Sequence, residues 1–172
     1  LMILAGHANA SFWLNPRLQL LPGIRVEYGN QNITFRDQQQ PVFLRENELK
    51  GISVLPHMGV RFNATENLVY RAAASKTVSR PGFKEVAPFE YTEVFAGAKT
   101  RGNPNLQNGQ NYNLDLKMEW YPHANELLSV SVFGKYLNDP IEKNMEATAS
   151  GQLQSYQNAD FGAVAGVEFE YN

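Results

Sequence analysis

From Asn111 to Trp120 the chain alternates without an exception: Tyr112, Leu114, Leu116, Met118 and Trp120 interleave with Asn111, Asn113, Asp115, Lys117 and Glu119. Side chains alternate across a strand, so this segment has one wholly apolar face and one wholly polar face. An aromatic residue closes the apolar face at each end. At about 3.3 Å per residue, Tyr112 and Trp120 stand roughly 26 Å apart. Once the strand is tilted, that approaches the apolar band of about 25 Å between the aromatic girdles of an outer-membrane barrel. The segment has the pattern of one stave of a membrane wall.

The alternation recurs along the whole chain. Ala8, Ala10, Phe12 and Leu14 share a face, then Leu18 to Tyr28, Ile52 to Phe62, Leu68 to Ala74, Leu128 to Tyr136 and Phe161 to Tyr171 repeat it. With the segment above, about seven strands result. The apolar rows carry no charge through their middles, where Arg or Lys facing lipid costs about 2–4 kcal/mol. A soluble β-sandwich also alternates, but its strands usually run about 5–6 residues and these run about 10–13. Connections differ between the two ends. Short turns fall at Asn15-Pro16, Ala64-Thr65-Glu66 and Pro122 to Asn125, whereas long links run from Asn30 to Lys50, Ser79 to Asn108 and Asn138 to Leu153. Short turns at one rim and long loops at the other are the barrel pattern. We therefore expect an all-β, antiparallel up-and-down transmembrane barrel segment. Pro22 and Pro56 interrupt that pattern, since proline cannot donate to a ladder, and we expect bulges at Leu21-Pro22-Gly23 and Leu55-Pro56-His57.

Composition excludes several classes. The 172 residues hold no cysteine, so disulfides and thiolate metal sites are ruled out. A net charge of −2 gives no bulk attraction for nucleic acid. No apolar run approaches the ~20 residues that a membrane helix needs. His7, His57 and His123 have no spacing that suits a metal, and no serine stands in a nucleophile elbow. Asp115 and Glu119 share a face but lie roughly 13 Å apart by strand rise, too far to act on one bond. We expect no catalytic residue, no metal and no cofactor; a mixed-charge lumen wall explains the carboxylates, with Lys117 between them.

Several motifs resemble the barrel of TonB-dependent outer-membrane receptors. They are Leu55-Pro56 with Val60-Arg61-Phe62, the run Leu68 to Pro81, Gly102-Asn103-Pro104-Asn105-Leu106, Asn111 to Leu114, Glu119-Trp120-Tyr121-Pro122, Leu127 to Phe133, Asp139-Pro140-Ile141-Glu142 and Gly166-Val167-Glu168. Their order and spacing cover most of the chain from about residue 21. The resemblance implies a bacterial outer-membrane location and active uptake of a bulky nutrient: a siderophore, vitamin, saccharide or peptide. It implies as partners the membrane lipid, the rest of the barrel with its plug, TonB reached through an N-terminal part, and an extracellular ligand. Family barrels have about 22 strands. We expect residues 1–172 to be a partial barrel domain without plug or closing strands: no plug-like stretch stands out, Glu170-Tyr171-Asn172 does not read as the family's closing strand, and seven strands cannot close so wide a barrel. A passive porin-like or adhesin barrel and a soluble β-rich binding module are the alternatives.

Ligand contacts are expected in the link from Ser79 to Asn108, which interleaves aromatics with cations: Phe83, Phe95 and Lys99, and above all Arg80, Phe89, Tyr91 and Arg101. Such a mixture suits a sugar, siderophore or peptide at the extracellular mouth. The same residues would also serve to pack the loop on itself.

Overall fold

The computed structural model describes residues 1–36, 44–92, 99–123, 125–148 and 151–172. The described residues form twelve strands and one helical turn: β1 (Met2–Asn9), β2 (Phe12–Asn15), β3 (Leu18–Arg36), β4 (Leu44–Asn63), β5 (Leu68–Ser79), α1 (Phe83–Val86), β6 (Glu90–Thr92), β7 (Lys99–Arg101), β8 (Gly109–Trp120), β9 (Leu128–Asn138), β10 (Ile141–Thr148), β11 (Gly151–Asn158) and β12 (Phe161–Tyr171). The large sheet runs β1-β3-β4-β5-β8-β9-β12, with β2 also on β3, and every pairing in it is antiparallel. Its seven positions are the seven strands expected, in sequence order, except that the first is broken at Ala10–Ser11. The sheet is an unclosed barrel wall.

The registers keep the apolar rows together. Leu68 faces Trp120, Ala72 faces Leu116, and Leu116 faces Val132. These outward rows stay open to the surroundings, with Leu114 52% exposed, Leu116 48% and Phe169 79%. Facing water, such a contiguous apolar surface would be an association hazard; it is the pattern that a lipid-facing side requires. Near the loop end Tyr112, Tyr136 and Phe161 form a belt, with ring centroids 6.4 and 6.3 Å apart. Phe62, Tyr70 and Trp120 lie on outward rows near the turns.

Local chemistry explains the turns. The Asn15 side-chain oxygen accepts the N–H groups of Arg17 and Leu18 at 2.9 and 3.0 Å. His123 Nδ1 pairs with Glu126 at 2.9 Å across the β8–β9 turn. On the inward face the Phe133 ring covers Gly166, its cross-strand partner; a Cβ there would lie 2.4 Å from the ring. Glycine thus leaves room for an aromatic neighbour to cover the backbone.

Two expectations are corrected. The β3–β4 register runs unbroken from Leu18–Phe62 to Arg36–Leu44, so neither proline makes a bulge there. The Pro22 carbonyl accepts the Ala10 N–H at 3.0 Å, so the edge that lacks an N–H faces the break between β1 and β2. Pro56 is two residues along the same ladder from the Pro22–Met58 pair, so its donorless edge also points away from β3. It faces β5, and the β4–β5 ladder stops beside it at His57–Ser75. The prolines end neighbouring ladders instead of bulging their own.

The long links also hold more strand than expected. β3 and β4 continue well past Asn30 and Lys50. β10 and β11 pair as a hairpin that resumes the β9–β12 ladder after Asp139-Pro140 and Ala159-Asp160. Asp139 takes φ +53°, a left-handed conformation that Asp tolerates better than most residues. That kink carries the hairpin into a second sheet, ordered β10-β11-β7-β6, at the loop end.

Candidate functional site

Two surfaces carry polar chemistry, the inward face of the wall and the loop-end sheet. On the inward face, one row sets Gln19, Arg61, Arg71, Lys117 and Ser131 side by side across five strands. Three adjacent cations repel, and carboxylates one step away offset part of that. Glu119, only 7% exposed, meets Arg71 Nε at 3.0 Å and Lys117 Nζ at 3.9 Å, and accepts from the Tyr121 hydroxyl at 3.4 Å. Glu170 meets Lys117 at 3.4 Å and accepts from Ser129 at 3.1 Å. Arg61 donates to Asn63 at 3.1 Å and has no carboxylate in ion-pair reach among the described residues. It borders a hollow of about 440 Å3 lined by Arg17, Asn63, Thr65, Glu66 and Val69. The expected mixed-charge wall is present, and Lys117 does bridge to Glu119.

The four foremost ligand candidates separate. Arg80 leaves the end of β5, crosses the inward face and sets Nη2 2.8 Å from Glu27, a carboxylate that Arg25 also holds at 2.6 Å. That contact is a close ion pair, in which Nε and Nη2 find no well-aligned acceptor among the described residues. The guanidinium lies over Gly29, where a Cβ would stand 3.0 Å from Nε. Next to it Gln31 donates to the Pro81 carbonyl at 3.2 Å. Arg80 therefore ties the start of the loop down to β3.

The other three lie on or beside the loop-end sheet. Tyr91 pairs with Thr100 in register, so Arg101 projects from the opposite side of that sheet. The Tyr91 hydroxyl meets that of Tyr156 at 3.2 Å, Lys84 Nζ stands 5.8 Å from the Tyr91 ring, and Phe89 packs edge-on to it at 6.2 Å. Arg101 meets Glu146 at 3.8 Å, both about half exposed. Phe83 and Phe89 are exposed, as is Lys99 on β7, while Phe95 lies outside the described residues. Beyond the wall, the Glu48 carboxyl is held below the usual carboxylate range by the hydrogen bond from Lys50 Nζ at 2.8 Å.

The motif Gly102-Asn103-Pro104-Asn105-Leu106 proves architectural. A Cβ on Gly102 would lie 2.3 Å from the Ala87 carbonyl oxygen. Asn103 donates to the Tyr156 carbonyl at 2.8 Å, its own oxygen accepts the Asn105 N–H at 2.9 Å, and Asn47 donates to the Pro104 carbonyl. Leu106 joins Val86 and Tyr156 in a small core, with Ile33 and Ile141 packed on it. Sequence reasoning did not find this core, because its members come from five separate segments with no shared period.

Residues 5–172 match the family model described as TonB dependent receptor-like, beta-barrel. The chain belongs to that family. The family is one of transport receptors of the bacterial outer membrane, not of enzymes. Solved receptor structures share the fold at low identity. A double mutant of the Serratia marcescens hemophore receptor HasR, in complex with its hemophore HasA and heme, superposes with TM-score 0.77 at 13% identity, over 99% of this chain and 31% of that one. A mutant of the ferric enterobactin receptor PfeA from Pseudomonas aeruginosa, in complex with enterobactin, gives 0.70 at 17%, over 97% and 24%. The siderophore receptor PirA from Pseudomonas aeruginosa gives 0.65 at 15%, over 97% and 38%. This receptor wall thus spans between 24% and 38% of those chains. No curated protein sequence matches it.

Proposed function

We propose that residues 1–172 form a section of a wider barrel wall in an outer-membrane receptor that imports an iron chelate or heme with energy delivered through TonB. One observation carries the reading: a single sheet whose outward rows are apolar and open, and whose inward rows hold paired charges. A bilayer on one side and a hydrated, plug-filled lumen on the other is the environment in which both faces are satisfied. The ligand class is drawn from the solved relatives, whose names speak of heme and enterobactin. Phe89 and Arg101 present exposed aromatic and cationic surface at the loop end and are the proposed ligand contacts. Tyr91 and Arg80 would hold that surface in place, Tyr91 through Tyr156 and Arg80 through Glu27. Arg61 leaves an unmatched cation for a carboxylate of the plug.

Uptake by cells that make the full natural chain tests this. Labelled ferric enterobactin and heme should bind at the cell surface, and at least one should accumulate only when TonB is present. Accumulation that persists without TonB would mean a passive barrel, and absence of the protein from the outer-membrane fraction would end the membrane reading.

A further inference from the structure

The outward face is not uniform. The β4–β5 ladder runs from Asn63–Val69 only to His57–Ser75, although β4 continues to Leu44 and β5 to Ser79. Where the two strands part, Ala74 forms a low floor between Ile24, Pro56 and Met58 on one side and Tyr112 on the other. The result is a hollow of about 600 Å3 with these apolar side chains on its outward side, and with His57, Ser75 and Asn113 also in its lining. It lies in the interior of the sheet, with strands on both sides, so it belongs to the wall and not to an open edge.

Lys76 stands at the loop-end margin of this hollow. It faces Tyr112 in register, and its Nζ lies 5.4 Å from that ring, at the level of the aromatic belt. Among the described residues it has no carboxylate in ion-pair reach. From this level down to the turns, the outward rows hold no other Lys or Arg. It stands eight positions along β5 from Leu68, roughly 26 Å along the strand, which puts it at the membrane boundary and not in the middle. A lone ammonium at that boundary attracts an anion, and an apolar trough running from it attracts a hydrocarbon chain. One molecule that satisfies both is a lipid with a negative headgroup.

We propose that the split between β4 and β5 is a binding site for an anionic membrane lipid, with an acyl chain in the hollow over Ala74 and the headgroup phosphate on Lys76. The proposal rests on the lipid-facing reading of the outward rows. The full natural chain, extracted in detergent, would be mixed with equal amounts of phosphatidylglycerol and phosphatidylcholine of identical acyl chains, and retained lipid read by native mass spectrometry. Several-fold preference for phosphatidylglycerol is expected. Lys76→Gln should bring the ratio close to one, Lys76→Arg should keep the preference, and Ala74→Phe should lower retention of both lipids. A heat-dependent shift in gel mobility verifies that each variant is folded. Equal retention of the two lipids by the unaltered protein would overturn the proposal, as would a preference unchanged in Lys76→Gln or lost equally in Lys76→Arg. These outcomes are distinct from failure of the transport reading, which shows in membrane fractionation and in the TonB dependence of uptake.

Discussion

The wall and the loop-end sheet are both β-structure, yet they are held by opposite arrangements. In the wall the large apolar side chains point outward, with Leu116 48% and Val132 46% exposed. On the proposed membrane reading its hydrophobic partner is the bilayer, so the strands need no second layer of protein. The loop-end sheet does what soluble proteins do. Val86, Leu106 and Leu153 are buried, Thr100 is fully enclosed, and polar side chains fasten distant backbone. The comparison teaches that surroundings, not strand propensity, decide which residues a sheet can show: lipid permits a one-layer sheet, and water demands a covered one.

Substitutions that exchange the two environments should break the comparison most sharply. Leu116→Arg puts a cation at the middle of the outward row, which costs about 2–4 kcal/mol facing lipid. We expect loss of the folded, heat-modifiable form in membrane fractions. Gly102→Ala drives a methyl group into the Ala87 carbonyl and should cost about 1–3 kcal/mol of local stability by overpacking. The measurement is new protease cleavage near residues 83–108 while the wall stays folded; an intact loop end would show that the close approach is dispensable. Tyr156→Phe removes the hydroxyl that meets Tyr91 and should cost about 0.5–1.5 kcal/mol, seen as faster amide exchange in β6 and β11. Asn113→Arg, on the inward face only three residues from Leu116, should stay within about 0.5 kcal/mol in urea unfolding of the membrane-inserted protein. If Leu116→Arg and Asn113→Arg were equally tolerated, the distinction between the faces would fall.

The same contrast explains what could be read ahead of the fold. Each wall strand declares its two faces locally, because a period of two needs only its own residues, and the register then follows from matching apolar rows. β10 and β11 gave no such signal. Glu142, Lys143, Asn144, Gln152, Gln154 and Gln157 have no lipid to segregate them, so the hairpin passed for a loop. Ligand candidates chosen by residue type were likewise scattered by the fold. Arg80 went to Glu27 on the wall, Tyr91 to Tyr156, and Arg101 to the opposite side of its sheet.

Sequence by itself determined the two-faced strands, their number and order, the short turns at one rim and the resemblance to a receptor family. Each depends on spacing within a short stretch of chain. Tertiary structure alone decided where Pro56 ends a ladder, where Lys76 stands beside an apolar hollow, and which side chains close the loop-end core. These depend on segments far apart in the chain, and side-chain period carries no information about which of them will meet.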